Sequence, residues 1–178
     1  MITLIYGGSG SGKSDFAEEY VCKLPYKDRF YLATMKDSGA EAKVRIKKHR
    51  INRQGKGFVT LEHDVDIKNA ISIVEEMAKK EDSVILLECL SNLVANEMFK
   101  DGEVKPEETC VEKVLSDIKA VADNVSSMVI VTNNIFEDGN SYDDCTKEYM
   151  RALGRINRIL EGLADEVYEV VVGIGIKV

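Results

Sequence analysis

An α/β fold built on a doubly wound, mostly parallel sheet is predicted by three features of the sequence. Short apolar runs rich in β-branched residues alternate with longer segments of helical period. Several of those runs are apolar at nearly every position, as strands are when helices cover both faces of a sheet. A glycine-rich stretch, GGSGSGKS, joins the first run to the first helical segment, which suits a chain of βαβ units.

In chain order, strands are expected at ITLIY, RFYLAT, FVTLE, SVILLE, SMVIVTN and EVYEVVV. Helices are expected to begin near Ser14, Ala40, Asp64, Leu90, Glu107 and Asp143. The closing stretch EVYEVVVGIGIKV places two β runs around Gly173 and Gly175. That pattern predicts a hairpin with an antiparallel strand at the sheet edge. Only Pro25 and Pro106 interrupt the chain, and no linker, repeat or low-complexity stretch divides it. A single domain spanning 1–178 is expected.

Composition narrows the class. The 178 residues are 44% hydrophobic and 31% charged, ordinary for a globular protein and unlike a disordered one. A net charge of −7 argues against nucleic acid as a partner. Cys22, Cys89, Cys110 and Cys145 are far apart with no Cys-x-x-Cys, and the chain has 2 histidines. Neither a zinc site nor a disulfide framework is expected, but reduced thiols in the cytoplasm. No run approaches the roughly 18 apolar residues of a membrane span, and no signal peptide is recognisable.

Gly7, Gly8, Ser9, Gly10, Ser11, Gly12, Lys13 and Ser14 fit Gly-x-x-x-x-Gly-Lys-Ser in full. The glycines let successive N–H groups converge on phosphate oxygens. Lys13 brings a mobile ammonium to the β- and γ-phosphates, and Ser14 a hydroxyl for Mg²⁺. The helix that follows adds its positive end. A nucleoside triphosphate site is expected, with Glu88, at the end of the apolar run SVILLE, as the acidic partner of Ser14 at the metal.

Between Lys43 and Lys56 lie seven Lys or Arg residues, and no carboxylate follows until Glu62. At helical spacing Arg45, His49 and Arg53 share a face, with Lys56 continuing the row. Few apolar residues (Val44, Ile46, Ile51) anchor the segment, so a loosely held element is expected. A neutral imidazole can attack phosphorus while flanking guanidinium groups stabilise the phosphoryl charge. Taken alone, the segment reads more readily as a solvated basic helix with an incidental histidine, since charge runs are usually solvated faces. His63, between Glu62 and Asp64, reads as a loop residue. These residues leave open a small kinase, which needs Lys13, Ser14 and Glu88 but no covalent histidine. A nucleotide-dependent switch is also open, although no Asn-Lys-x-Asp for guanine occurs.

GGSGSGKSDFAE, YLAT, RIKKHRINR, VTLE, ILLECLSNLVAN, VIVTNN, GRIN and ADEVYEVVVGIGIKV follow one another in this order. Together they resemble the bifunctional adenosylcobinamide kinase / adenosylcobinamide-phosphate guanylyltransferase family of cobalamin biosynthesis. The resemblance implies a RecA-like P-loop domain with a closing antiparallel strand, assembled as a homo-oligomer, usually a trimer. It implies a kinase that phosphorylates adenosylcobinamide with ATP or GTP. It also implies transfer of GMP from GTP to the resulting phosphate through a guanylylated histidine, which by position is His49. Nucleotide contacts are carried over to Ala33, Thr34, Arg50, Ile51, Asn52, Arg53, Glu62 and Glu88, besides the loop 7–14. The chain departs from the family pattern at Gly10, Asn134, Met150 and Arg158.

Overall fold

The structure, a computed structural model, describes residues 1–36, 39–135 and 142–178, without the side chains of 40–42, 45, 48 and 101. Among the described residues, seven strands form one sheet: β1 (Ile2–Tyr6), β2 (Asp28–Ala33), β3 (Phe58–Glu62), β4 (Ser83–Glu88), β5 (Ser127–Val131), β6 (Glu166–Val171) and β7 (Ile174–Lys177). Their order across the sheet is β3-β2-β4-β5-β1-β6-β7. The first six run parallel, and only β7 is antiparallel, paired with β6.

Among the described residues the α-helices are α1 (Lys13–Lys23), α2 (Gly39–Asn52), α3 (Ala70–Met77), α4 (Leu90–Met98), α5 (Glu107–Asp123) and α6 (Asp144–Leu163). The alternation of each strand divides the core accordingly. Leu4, Phe30, Leu32, Ile85, Leu87 and Ile130 face α3 to α6. Ile5, Tyr31, Val84, Leu86, Val129 and Val131 face α1, through Ala17 and Val21. The central strands β4 and β5 therefore bury both faces, which is why they read as unbroken apolar runs.

Several boundaries differ from expectation. The helix expected near Asp64 begins as a 3₁₀ turn at Ile67–Asn69 and becomes α3 only at Ala70. Asp66 is left-handed (φ 50°), and its N–H donates to Glu97 Oε1 at 2.7 Å, so the chain is held in a turn there. β5 stops at Val131, short of the expected Asn133. Backbone bonds nevertheless continue beyond it, from Thr132 N–H to Ile5 O and from Asn134 N–H to Gly7 O. β6 ends before Val172 because Val172 (φ 50°) and Gly173 (φ 78°) form the hairpin turn, and a two-residue turn of this hand needs positive φ.

The hairpin also braces the glycine loop. Gly173 N–H donates to Ser11 O at 2.7 Å. A Cβ on Gly12 would lie 2.9 Å from Gly173 Cα, and one on Gly7 would lie 2.5 Å from Val170 O. A Cβ on Gly175 would lie 2.1 Å from the Phe16 ring. That ring packs against Tyr168, 5.6 Å between centroids. At Gly7 and Gly12 backbone touches backbone, and at Gly175 backbone touches the Phe16 ring, so these glycines are steric requirements.

Candidate active site

The C-terminal ends of parallel strands are where open α/β sheets bind ligands, and the predicted residues converge there. The loop 7–14 follows β1 and delivers Lys13 as the first residue of α1. Gly10 (φ 72°) and Gly12 (φ 87°) take the left-handed backbone that the loop requires. The buried Lys13 ammonium donates to Gly8 O at 2.6 Å, within the loop. Burial lowers its pKa, while the Glu88 charge acts in the opposite direction.

Glu88 ends β4, two strands from β1. Its Oε1 accepts the Ser14 hydroxyl at 2.8 Å. Its Oε2 is buried and has no hydrogen-bond partner. Burial pushes the carboxyl up to about 7, against the Ser14 bond and the Lys13 charge, which lower it. A carboxylate with one orphaned oxygen beside a serine hydroxyl at a phosphate loop is a donor set that suits a hard divalent cation.

Beyond Glu88, on the α1 face of the sheet, lies a cavity of about 520 Å³. One wall is basic and comes from α2 and the turn after it: Lys43, Lys47, His49, Arg50 and Arg53. Ala33, Glu62, His63 and Asn92 complete it at the strand ends. Arg53 is 7% exposed, its guanidinium 3.4 Å from the centroid of the Tyr31 ring. This stacking keeps an Arg charge in a buried place. Its Nη2 donates to Thr60 Oγ1 at 3.4 Å, and its Nη1 is buried without a hydrogen-bond partner.

The basic segment is anchored mainly by polar contacts at its end. Val44 and Ile51 are indeed 68% and 53% exposed, so apolar burial contributes little. Polar contacts hold the end of α2 instead. Asn52 Nδ2 donates to Asp15 Oδ1 at 3.1 Å, and Lys56 Nζ donates to Glu18 Oε2 at 2.6 Å. The Glu18 side chain is fully buried in α1.

Other expected contacts fall differently. Lys56 leaves the row of His49 and Arg53 and turns to Glu18, because the helix ends at Asn52. Thr34 is wholly buried, and its hydroxyl is spent on Cys89, donating to the carbonyl and accepting the N–H, each at 2.8 Å. Ile51 points to solvent and Asn52 to Asp15, so neither lines the cavity. Arg50 and Glu62 pair with each other at the exposed rim. The Arg45 side chain lies outside the described residues. Tyr31 and His63 were missed as wall residues. The two-residue alternation of RFYLA and the position of His63 directly after a strand end were the available signals.

Comparison with known proteins bears on this geometry. Residues 3–178 match the family model described as cobinamide kinase / cobinamide phosphate guanyltransferase. The bifunctional adenosylcobalamin biosynthesis protein CobU of Salmonella typhimurium (strain LT2) is 31% identical, with 100% of this chain and 99% of that protein covered. Its namesake in Escherichia coli K12 is 28% identical over the same shares. Among solved structures, a prototypical ATPase of a bacterial type III secretion system superposes with a TM-score of 0.59 at 13% identity, covering 99% of this chain and 56% of that one. Protein PH0250 of Pyrococcus horikoshii OT3 gives 0.55 at 12% identity, covering 99% and 84%. At such identities the structures speak for the fold alone, a P-loop α/β domain. The sequence matches go further, and the chain belongs to the cobinamide kinase / cobinamide phosphate guanyltransferase family.

Proposed function

We propose that this protein is a bifunctional enzyme of adenosylcobalamin biosynthesis. It phosphorylates the free hydroxyl of adenosylcobinamide with ATP or GTP, then transfers GMP from GTP to that phosphate. The observation that carries the reading is a shared cavity. His49, Arg50 and Arg53 line the same space as Glu88, whose carboxylate is bonded to Ser14 of the phosphate loop. A triphosphate gripped by the loop thus has a histidine within the cavity that its nucleoside end would enter.

In the transfer, a neutral His49 nitrogen attacks the α-phosphorus and a P–N bond forms. The bond from the α-phosphorus to its bridging oxygen breaks, and pyrophosphate leaves with that electron pair. A phosphate oxygen of adenosylcobinamide phosphate then attacks the same phosphorus and displaces the imidazole, giving adenosylcobinamide-GDP. Arg53 and Arg45 are placed in sequence to neutralise the departing pyrophosphate. The kinase step needs no covalent intermediate and draws on Lys13 and the loop amides. Ser14 and Glu88 would hold Mg²⁺, which when bound supplies charge neutralisation at the phosphates.

Among the described residues no helix is long and apolar enough to cross a membrane. Unpaired cysteines suit a reducing compartment, and we place the enzyme in the cytoplasm. The exposed apolar strand β7, with Ile174 and Ile176 at the open sheet edge, is where copies of the chain would associate into the trimer the resemblance implies.

The test uses GTP labelled at the α-phosphate. Wild-type protein should retain label in an acid-labile, comparatively base-stable bond. His49→Ala should lose both label and guanylyl transfer yet keep kinase activity. Guanylyl transfer at a normal rate without any labelled protein would refute the covalent role. Kinase activity with neither label nor transfer in the wild type would make the chain a kinase alone.

A further inference from the structure

Tyr31 takes no part in the chemistry proposed above, yet its ring holds a charge that does. It lies in β2 on the α1 face of the sheet and is 3% exposed. The ring of Phe58, at the start of β3, meets it edge to face, 6.1 Å between centroids. That contact fixes the plane of the Tyr31 ring. The Arg53 guanidinium lies over the ring, its central carbon 3.4 Å from the centroid. Tyr31, Arg53, His49 and Glu88 all line the basic cavity.

The stack bears on the reaction by two routes. A guanidinium held by its flat face keeps its N–H groups in the plane, directed past the ring. Arg53 Nη2 donates to Thr60 Oγ1 over a long 3.4 Å, and among the described residues the buried Nη1 has no hydrogen-bond partner. An orphaned buried donor is rare in a folded protein, and a charged one suits a phosphate oxygen that arrives with a ligand. The charge already acts on nearby carboxylates: burial raises the Glu88 and Glu18 carboxyls, and Arg53 is among the cations that hold them down. The second route is the backbone. Arg53 N–H donates to His49 O at 3.2 Å and closes the turn that bears the imidazole. Whatever fixes Arg53 therefore fixes that turn as well.

We infer that Tyr31 is a positioning residue for guanylyl transfer. Its ring sets the Arg53 guanidinium against the triphosphate and, through the bond from Arg53 N–H to His49 O, holds the turn from which the imidazole attacks. The inference rests on the transfer reading above. A strand position that buries a ring for packing alone accepts any apolar group of the same shape. One that supports a cation needs the electron-rich face as well. With an aliphatic side chain at this place the core stays apolar, but the guanidinium keeps only its long bond to Thr60.

The test reads the rate of protein labelling from saturating GTP labelled at the α-phosphate. Each rate is divided by the kinase rate of the same sample with adenosylcobinamide and ATP, so that misfolded protein cancels. Tyr31→Phe keeps the ring and should match wild type within about twofold. Tyr31→Leu should lower the ratio roughly tenfold, the loss of one buried cation–π contact. Phenylalanines of increasing ring fluorination, placed at position 31 by nonsense suppression, keep the shape and weaken the electron-rich face. Labelling should slow stepwise along that series. A fluorinated series no slower than Tyr31→Phe would reduce the ring to packing and overturn the inference, whether or not Tyr31→Leu folds. A Tyr31→Phe protein as slow as Tyr31→Leu would overturn it too, since the hydroxyl and not the ring face would then matter. A wild type that takes no label at all removes the transfer reading itself, and the positioning role with it.

Discussion

Lys13 is buried to 7% exposure yet keeps its ammonium on a loop carbonyl. Burial works against its charge, and Glu88 works for it. A phosphate would supply far more negative charge at the same place, so much of the energy of binding should pass through this one side chain. Lys13→Ala should weaken ATP and GTP binding sharply and lower turnover by several orders of magnitude, with the circular dichroism spectrum unchanged. Titration calorimetry and steady-state rates check both. At this scale the sequence singles out residues whose type is dictated by chemistry at fixed spacing: the loop glycines, Lys13, Ser14, and Glu88 after its apolar run. Thr34 is ambiguous in sequence, because a threonine after a strand offers a hydroxyl to a ligand or to the neighbouring backbone alike. Here Cys89 takes it. Tyr31 was hidden in a strand where an aromatic ring reads simply as core, and only the fold brings Arg53 over it.

Between elements, the junction of α2 with α1 is unusual in being polar. Glu18, with no exposed side-chain surface, meets Lys56, and Asn52 meets Asp15. A buried carboxylate stripped of its cation is costly, whereas the pair as a whole is nearly exchangeable for apolar groups. Lys56→Met should therefore destabilise the protein by about 3 kcal/mol, read from urea unfolding. The double replacement Glu18→Met, Lys56→Met should recover most of that loss. Guanylyl transfer should fall more than kinase activity in Lys56→Met, since the junction sets the end of the helix that carries His49. The sequence announced the helix and its charge, but its partner was out of reach. The pairing spans two elements joined by no local pattern, and Glu18 reads as one more acid on an exposed helix face. Helix and strand positions were legible because apolar periodicity is local. Their ends shifted where a tertiary bond, such as that of Asp66 N–H to Glu97, overrode it.

The whole molecule is one sheet whose strand order, β3-β2-β4-β5-β1-β6-β7, places the phosphate-loop strand next to β6 near the closing edge. Alternating strands and helices predicted a parallel sheet with an antiparallel end, but not this order. Order depends on which face each crossover helix covers, and apolar runs such as SVILLE and SMVIV do not encode that. The order matters because it lets the hairpin reach the loop. Gly175→Val should push the Phe16 ring, itself packed on Tyr168, and displace the start of α1. A loss of about 1–3 kcal/mol in stability with weaker ATP binding is expected, seen as a lowered Tm and a raised Kd. A variant as stable and as tight as wild type would separate the hairpin from the loop.

That brace also orders events in time. The ribosome makes Gly7 to Ser14 well before Gly173, which holds Ser11. A nascent chain stalled before the hairpin would carry the whole glycine loop and Glu88 and still hold that loop slackly. Nucleotide capture becomes a mark of a finished hairpin, and copies without it would not compete for the cell's GTP.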